Sequence, residues 1–247
     1  MAVHAWRLLL LGAALAVWEA LPRLGVVDPD LLPPFSEVLA TVPALLARPA
    51  LQDDFSLTAV RVLVGFLLSI PVGACLGVLV AESRYAGRVL DPLLFFLFTI
   101  PKSIFLPLTI LAMGIGFSQK IAFAVLSTFL VLTFNFAAAI RSIKPEYLLV
   151  ARSYGAARSQ VIRRVYVPGM LPILLEAVRI AIMFTITAVL LAEMYASRTG
   201  IGHDIATWGE NFQLRQLLAG VLVVSVAAVA VNEAFRWLER SASSWRS

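Results

Sequence analysis

Three ionisable residues, Lys102, Arg179 and Glu193, stand inside otherwise apolar stretches of the 247-residue chain. A charge at the centre of a hydrocarbon layer costs at least about 2.5–3.5 kcal/mol, so such a group faces protein or a watery path. Lys102 lies between Pro101 and Pro107, with Ser103 beside it. Proline interrupts a helix, and irregular backbone at membrane depth is tolerated only within protein or along a cavity. Lys102 can therefore attract an anionic solute, or it can snorkel or pair with a carboxylate. Glu193 precedes a TGIG sequence at residues 199–202. It can gate an external opening, contact a partner there, or sit at headgroup level. Arg179 reads as an anchor or a subunit contact. Thr133, Asn135, Thr185 and Thr187 can line a path and can equally bridge helices in lipid.

Bond-breaking chemistry finds no support in the residue pattern. A lone Cys75 forms no intrachain disulfide, and the isolated His4 and His203 do not make a metal site. Phosphate-cradling GxxxxGK[ST], GxSxG and HExxH sequences are all lacking. The expectation is a protein that is not an enzyme.

The elements that position these residues follow from composition. Hydrophobic residues make up 60% of the chain and charged residues 14%, against about 45–50% apolar in a soluble domain. Apolar stretches of about 20 residues, enough to cross a bilayer, recur six times. They are Trp6–Leu21, Leu57–Ala81, Pro92–Met113, Ser118–Ile140, Leu171–Met194 and Leu214–Trp237. The first lacks a small-residue cleavage site and is kept as a span. Backbone groups in lipid must bond internally and no period-two alternation occurs, so the fold class is all-α, a single polytopic domain over residues 1–247.

Lys and Arg are retained on the cytoplasmic side of short loops. One side collects Arg7, Arg84, Arg88, Arg141, Lys144, Arg152, Arg158, Arg163, Arg164, Arg236, Arg240 and Arg246, more than half of the 20 basic residues. The other receives Arg23, Arg48, Arg61, Lys120, Arg198 and Arg215. Both termini are thus expected to be cytoplasmic, and the net charge of +5 reflects topology, not a nucleic-acid partner. Gly65, Gly73 and Gly77 recur in the second span, the last two as GxxxG, which allows close helix approach within the subunit or across a dimer.

The basic stretch PEYLLVARSYGAARSQVIRRVYVP, residues 145–168, interrupts this pattern. Pro145 suits a first helical position, and Glu146 places negative charge on the positive end of the helix dipole. Tyr147, Val150, Ala151 and Tyr154 share a face; Gly155 is a pivot; a second piece starts near Ala156 and is expected to end at Pro168. Two bent amphipathic helices fit either an anchor on anionic lipid or a dock for a cytoplasmic partner.

The spacing of Ala151, Gly155, Val165, Val167 and Pro168 resembles the EAA motif of ABC importer permeases, in which Glu-Ala-Ala is followed by Gly, Ile and Leu-Pro at those intervals. Leu149 and Val150 stand where that motif has Glu and its first Ala. Residues 32–39 (LPPFSEVL), 56–83, 90–121 and 190–202 are similar, in order, to further segments of sulfonate, nitrate and taurine importer permeases. Ala112, Met113 and Glu176 depart from them.

Resemblance implies a type I ABC importer permease in a bacterial inner membrane. Its partners would be a cytoplasmic ABC ATPase dimer, a second permease subunit as a homodimer, a periplasmic or lipid-anchored substrate-binding protein, and the bilayer. The chain itself would hold no cofactor, since ATP and Mg belong to the ATPase. The 141–168 loop would couple to it through Glu146, Tyr147, Val150, Ala151, Arg152, Ser153, Tyr154, Gly155, Ala156, Arg158 and Pro168. Lys102, Ser103, Thr133, Asn135, Thr185, Thr187 and Glu193 are the pathway or gate candidates. The expected solute is a small anion of sulfonate, taurine or nitrate type; a pyrimidine precursor of thiamine, and a non-transporting scaffold, are the alternatives.

Overall fold

The computed structural model describes residues 2–243; Arg246, counted above among the cytoplasmic basic residues, lies outside them. Among the described residues eleven α-helices follow one another: α1 Ala2–Arg23, α2 Phe35–Leu46, α3 Pro49–Glu82, α4 Arg84–Thr99, α5 Leu106–Met113, α6 Phe117–Arg141, α7 Pro145–Ser153, α8 Arg158–Val161, α9 Val167–Tyr195, α10 Ile201–Glu210 and α11 Leu214–Ser243. Among the described residues there is no strand. Of these described helices, five are long and apolar enough to cross a membrane. A sixth span is broken: α4 and the segment Lys102–Met113 meet at 89°. The break falls where Pro101 precludes a continuous helix, as the sequence implied.

The second and fifth spans are longer than their apolar cores. At 1.5 Å per residue α3 is about 51 Å long, well beyond a hydrocarbon layer of about 30 Å, so its first turns, with Asp53 and Asp54, lie outside it. Pro168 does not end the second loop helix, contrary to expectation. The helix runs unbroken from Arg158 to Tyr195, through a π-helical turn at Ile162–Tyr166. In that turn the Val167 N–H donates to the Ile162 carbonyl, five residues back. The wider turn, inserted just before Pro168, accommodates the residue that lacks a donor, and the helix carries on. Arg61 and Lys120, assigned to the external side by charge counting, are buried residues within α3 and α6. Charge counting locates basic residues near the ends of spans but does not see which of them the neighbouring helices enclose.

The chain divides into two compact units, with the divisions falling inside α3, α9 and α11. One comprises Ala59–Ala192 and Ala228–Ser247. Its centre is α6, more than half of whose apolar window is buried. Phe66 of α3, Leu132 of α6, and Ala181 and Ile182 of α9 form the core there, with Phe235 of α11 edge-on to Phe66 at 6.4 Å. A Cβ on Gly77 would stand 2.5 Å from the Phe136 Cβ and 2.8 Å from the Thr133 carbonyl, and one on Gly73 would overlap the Leu132 Cβ. The GxxxG pair is therefore the seam between α3 and α6 within the subunit. The other unit comprises Met1–Thr58 and Glu193–Ala227. In it Trp18 of α1 lies 5.3 Å from Phe35 of α2 and donates its indole N–H to the Pro33 carbonyl at 3.1 Å.

Candidate functional site

The basic loop is built by a helix ending. After Ser153, the last residue of α7, the Ala156 N–H donates to the Ala151 carbonyl at 3.0 Å and the Gly155 N–H to the Arg152 carbonyl at 2.9 Å. This pair of bonds is the Schellman motif, and it requires a left-handed residue at position 155. Gly155 has φ +70°. The next helix opens with the Gln160 side chain accepting from the Ala157 N–H at 2.9 Å, which satisfies one of its first donors. Two of the spaced residues noted in the sequence, Ala151 and Gly155, are thus the acceptor and the pivot of one hydrogen-bonded turn.

That turn leaves an apolar face uncovered. Tyr147, Val150 and Tyr154 are exposed, Tyr154 at 88%. Leu149 is 68% exposed, and the exposed Glu146 lies one turn before it on the same side of α7. Arg152 and Ser153 are also exposed. Arg158 approaches Glu82 at 3.7 Å, but both side chains are solvated, so the pair contributes little. The nine residues of α7 carry none that is buried. An isolated short helix of this kind is marginal in water.

A second cluster lies within the same unit. Lys102, Ser103 and Thr187 share a pocket of about 330 Å³ with Ser127, Phe123 and Phe184. The break between α4 and Lys102–Met113 leaves carbonyls at the end of α4 without helical partners. The Lys102 ammonium fills that deficit: it donates to the carbonyls of Leu97 at 3.2 Å, Phe98 at 2.6 Å and Ile100 at 2.9 Å, and sits 5.0 Å from the Phe98 ring centroid. Its three donors are occupied, an arrangement distinct from both the snorkelling and the carboxylate pairing considered from the sequence. Ser127, not singled out from the sequence, is 5% exposed. Its hydroxyl has no hydrogen-bond partner among the described residues. The adjacent Ser-Thr pair inside an apolar span was its only signal.

The other pathway candidates are placed elsewhere. Thr133 is fully buried and donates to the Phe129 carbonyl of its own helix, and its backbone lies against Gly73 and Gly77. Asn135 donates to the Val131 carbonyl at 2.8 Å. Thr185 donates to the Ala181 carbonyl and stands 3.0 Å from the Thr128 hydroxyl, a bridge between α6 and α9. Arg179 reaches Glu239 at 3.7 Å and Glu176 at 3.9 Å.

Glu193 closes a clamp in the other unit. It is fully buried, and its carboxylate accepts from the Thr58 hydroxyl at 2.9 Å and from the Gly202 N–H at 3.0 Å. The Thr58 oxygen in turn accepts from the Ile201 N–H at 3.1 Å, and Asp54 accepts from the Gly200 N–H. The first donors of α10, orphaned by helix geometry, are thereby satisfied. Burial removes the Glu193 carboxylate from direct contact with lipid headgroups.

Asp204 of α10 sits beside this clamp. Partial burial, then the negative charge of Asp54, push its carboxyl from 3.8 up to about 6; His203 opposes this and Glu193 adds to it. The folded protein therefore holds this proton more tightly than the unfolded chain, and stability falls as pH rises from about 4 to about 6. Asp204→Asn is expected to raise the melting temperature above pH 6 and leave it unchanged below pH 4. Because the group is partly solvated, the gain is on the order of 1 kcal/mol, or about 3 °C. An equal shift at both pH values would remove the electrostatic account.

The sequence profile described as "binding-protein-dependent transport system inner membrane component" matches residues 69–244. The putative aliphatic sulfonates transport permease protein of Bacillus subtilis (strain 168) is 29% identical over 97% of this chain and 87% of its own length. The taurine transport system permease protein of Escherichia coli (strain K12) is 26% identical over 95% of this chain and 87% of its own. Among solved structures, a chain of a bacterial ABC transporter involved in the import of the acidic polysaccharide alginate superposes with a TM-score of 0.68 at 15% identity, covering 96% of both chains. That likeness shows the fold, and the profile shows the family: the chain belongs to the binding-protein-dependent transport system inner membrane components, the permeases of ABC importers.

Proposed function

We propose that two copies of this permease form the pathway for a small anionic solute, and that the 141–168 loop docks on a cytoplasmic ATPase dimer. In this reading the loop and both termini lie on the cytoplasmic side of a bacterial inner membrane, and an external binding protein delivers the solute. ATP and Mg are held by the ATPase. Closure of the ATPases moves the loop and rocks the helices between outward and inward openings, a two-state rigid-body transition. The observation that carries it is the glycine-terminated α7, whose uncovered Tyr147, Val150 and Tyr154 face is flanked by Arg152 and Arg158. An amphipathic helix of this form fits a groove. Glu146, one turn from Leu149, takes the place of the acidic residue that the EAA motif has there.

The solute assignment to sulfonate or taurine type rests on the names of the relatives and on a pocket that joins Lys102, Ser103, Ser127 and Thr187. With its donors occupied, Lys102 acts on an anion through its field, not through a direct bond.

Gentle solubilisation of the tagged chain is expected to retain an ATPase, and Tyr147→Asp with Val150→Asp to release it while the chain stays inserted. Undiminished ATPase in the double variant would remove the docking role. Uptake tested over taurine, alkanesulfonates, nitrate and an aminopyrimidine is expected to proceed only for the compounds that carry a sulfonate or nitrate group; uptake of the aminopyrimidine alone would overturn the substrate class.

A further inference from the structure

A cavity of about 400 Å³ opens where α3 ends, α4 begins and α6 gives way to the loop, and it is lined by Arg84, Arg88, Arg141 and Asp91. Arg141 is engaged, donating to the Asp91 carboxylate at 2.9 Å and to the Val80 carbonyl at 3.2 Å. One arginine and one aspartate offset each other there. Arg84 and Arg88, one helical turn apart on α4, are exposed and have no ion pair or hydrogen bond from their side chains among the described residues. The cavity thus carries two uncompensated guanidinium groups, whose planar forks match phosphate oxygens.

The neighbouring face of α4 states what the anion is attached to. Tyr85, Val89, Leu93 and Phe96 recur at intervals of four, four and three residues, and all four are exposed. They make one apolar stripe that starts beside the arginines and runs along the span. An anion free in water would use the arginines and leave the stripe bare. A molecule with an anionic head and long apolar chains uses both.

We propose that this cavity is a binding site for an anionic phospholipid, with the phosphodiester held by Arg84 and Arg88 and an acyl chain laid along Tyr85, Val89, Leu93 and Phe96. Basic pockets between transmembrane helices are suited to such headgroups. The site is independent of what the permease transports. Because the cavity wall includes the end of α6, an occupied site braces the point at which the 141–168 loop leaves the membrane-spanning bundle.

The test uses the full chain in a neutral detergent, with phosphatidylglycerol, phosphatidylcholine and inorganic phosphate as probes, read by native mass spectrometry and by thermal unfolding. Phosphatidylglycerol is expected to remain bound and to raise the melting temperature, phosphatidylcholine and inorganic phosphate to do neither. Arg84→Gln with Arg88→Gln is expected to weaken phosphatidylglycerol binding about 30-fold, and Arg84→Lys with Arg88→Lys to restore part of it. Should the glutamine variant fail to insert, the wild-type chain still decides, because several-fold higher salt must release the lipid from an exposed arginine pair. Equal retention of phosphatidylglycerol by the glutamine variant, retention that salt does not change, or stabilisation by inorganic phosphate equal to that by lipid would each overturn the proposal.

Discussion

Replacement of Gly155 by proline is expected to abolish ATP-driven uptake while the chain remains inserted in the membrane. Proline fixes φ near −65°, whereas position 155 has φ +70°. It also lacks the N–H that Gly155 donates to the Arg152 carbonyl. The Schellman turn cannot form, so α7 loses its ending and the face of Tyr147, Val150 and Tyr154 is no longer presented at a fixed angle. A proline in a position this incompatible costs about 3 kcal/mol or more, which corresponds to a loss of about 100-fold in a correctly formed loop. The spans are untouched, since α7 has no buried residue. Gly155→Ala keeps the N–H and pays only for the left-handed conformation, about 1–2 kcal/mol, so its uptake is expected to fall in between. Uptake by the chain, reconstituted with its ATPase and binding protein, provides the measurement. Normal rates for the proline variant would mean that this turn has no part in coupling.

Substituting valine at both Gly73 and Gly77 is expected to have the largest effect on stability. At each position the added Cβ meets atoms that do not give way: a Cβ and backbone atoms of α6, at 3.2 Å or less. Relief requires moving two packed helices apart, not turning a side chain. Overpacking of this kind costs about 3 kcal/mol or more for the pair, or about 10 °C in melting temperature for a chain of this size. Gly12→Val is the internal control, because a Cβ there meets nothing within 4 Å. If the double variant melts with the Gly12→Val protein, the α3–α6 seam does not hold the unit together.

These two glycine sites also mark how far the sequence could be read. Gly155 was legible: its interval from Ala151, its polar surroundings and the helix formers before it are all local, and a helix ending is a local event. Pro168 was misread for the complementary reason. Proline ends most helices, but a single π-helical turn at Ile162–Tyr166 absorbs the missing donor, and nothing in the preceding residues announces such a turn. The GxxxG pair was visible as a close-packing surface, but its partner was not, since the residues it meets lie more than 50 positions further along the chain.

What the sequence by itself determined is what depends on neighbours along the chain: apolar runs of sufficient length, the break at Pro101, the basic loop and the glycine that shapes it. Free energies of transfer and backbone conformation act residue by residue, so they are written in order. Only the tertiary structure decided the rest. It joined Glu193 to Thr58 across 135 positions, and left Ser127 without a hydrogen-bond partner among the described residues in a pocket. Each of those outcomes satisfies, or leaves unsatisfied, a polar group away from water. Which groups meet there is fixed by helix packing in three dimensions, not by any interval along the chain.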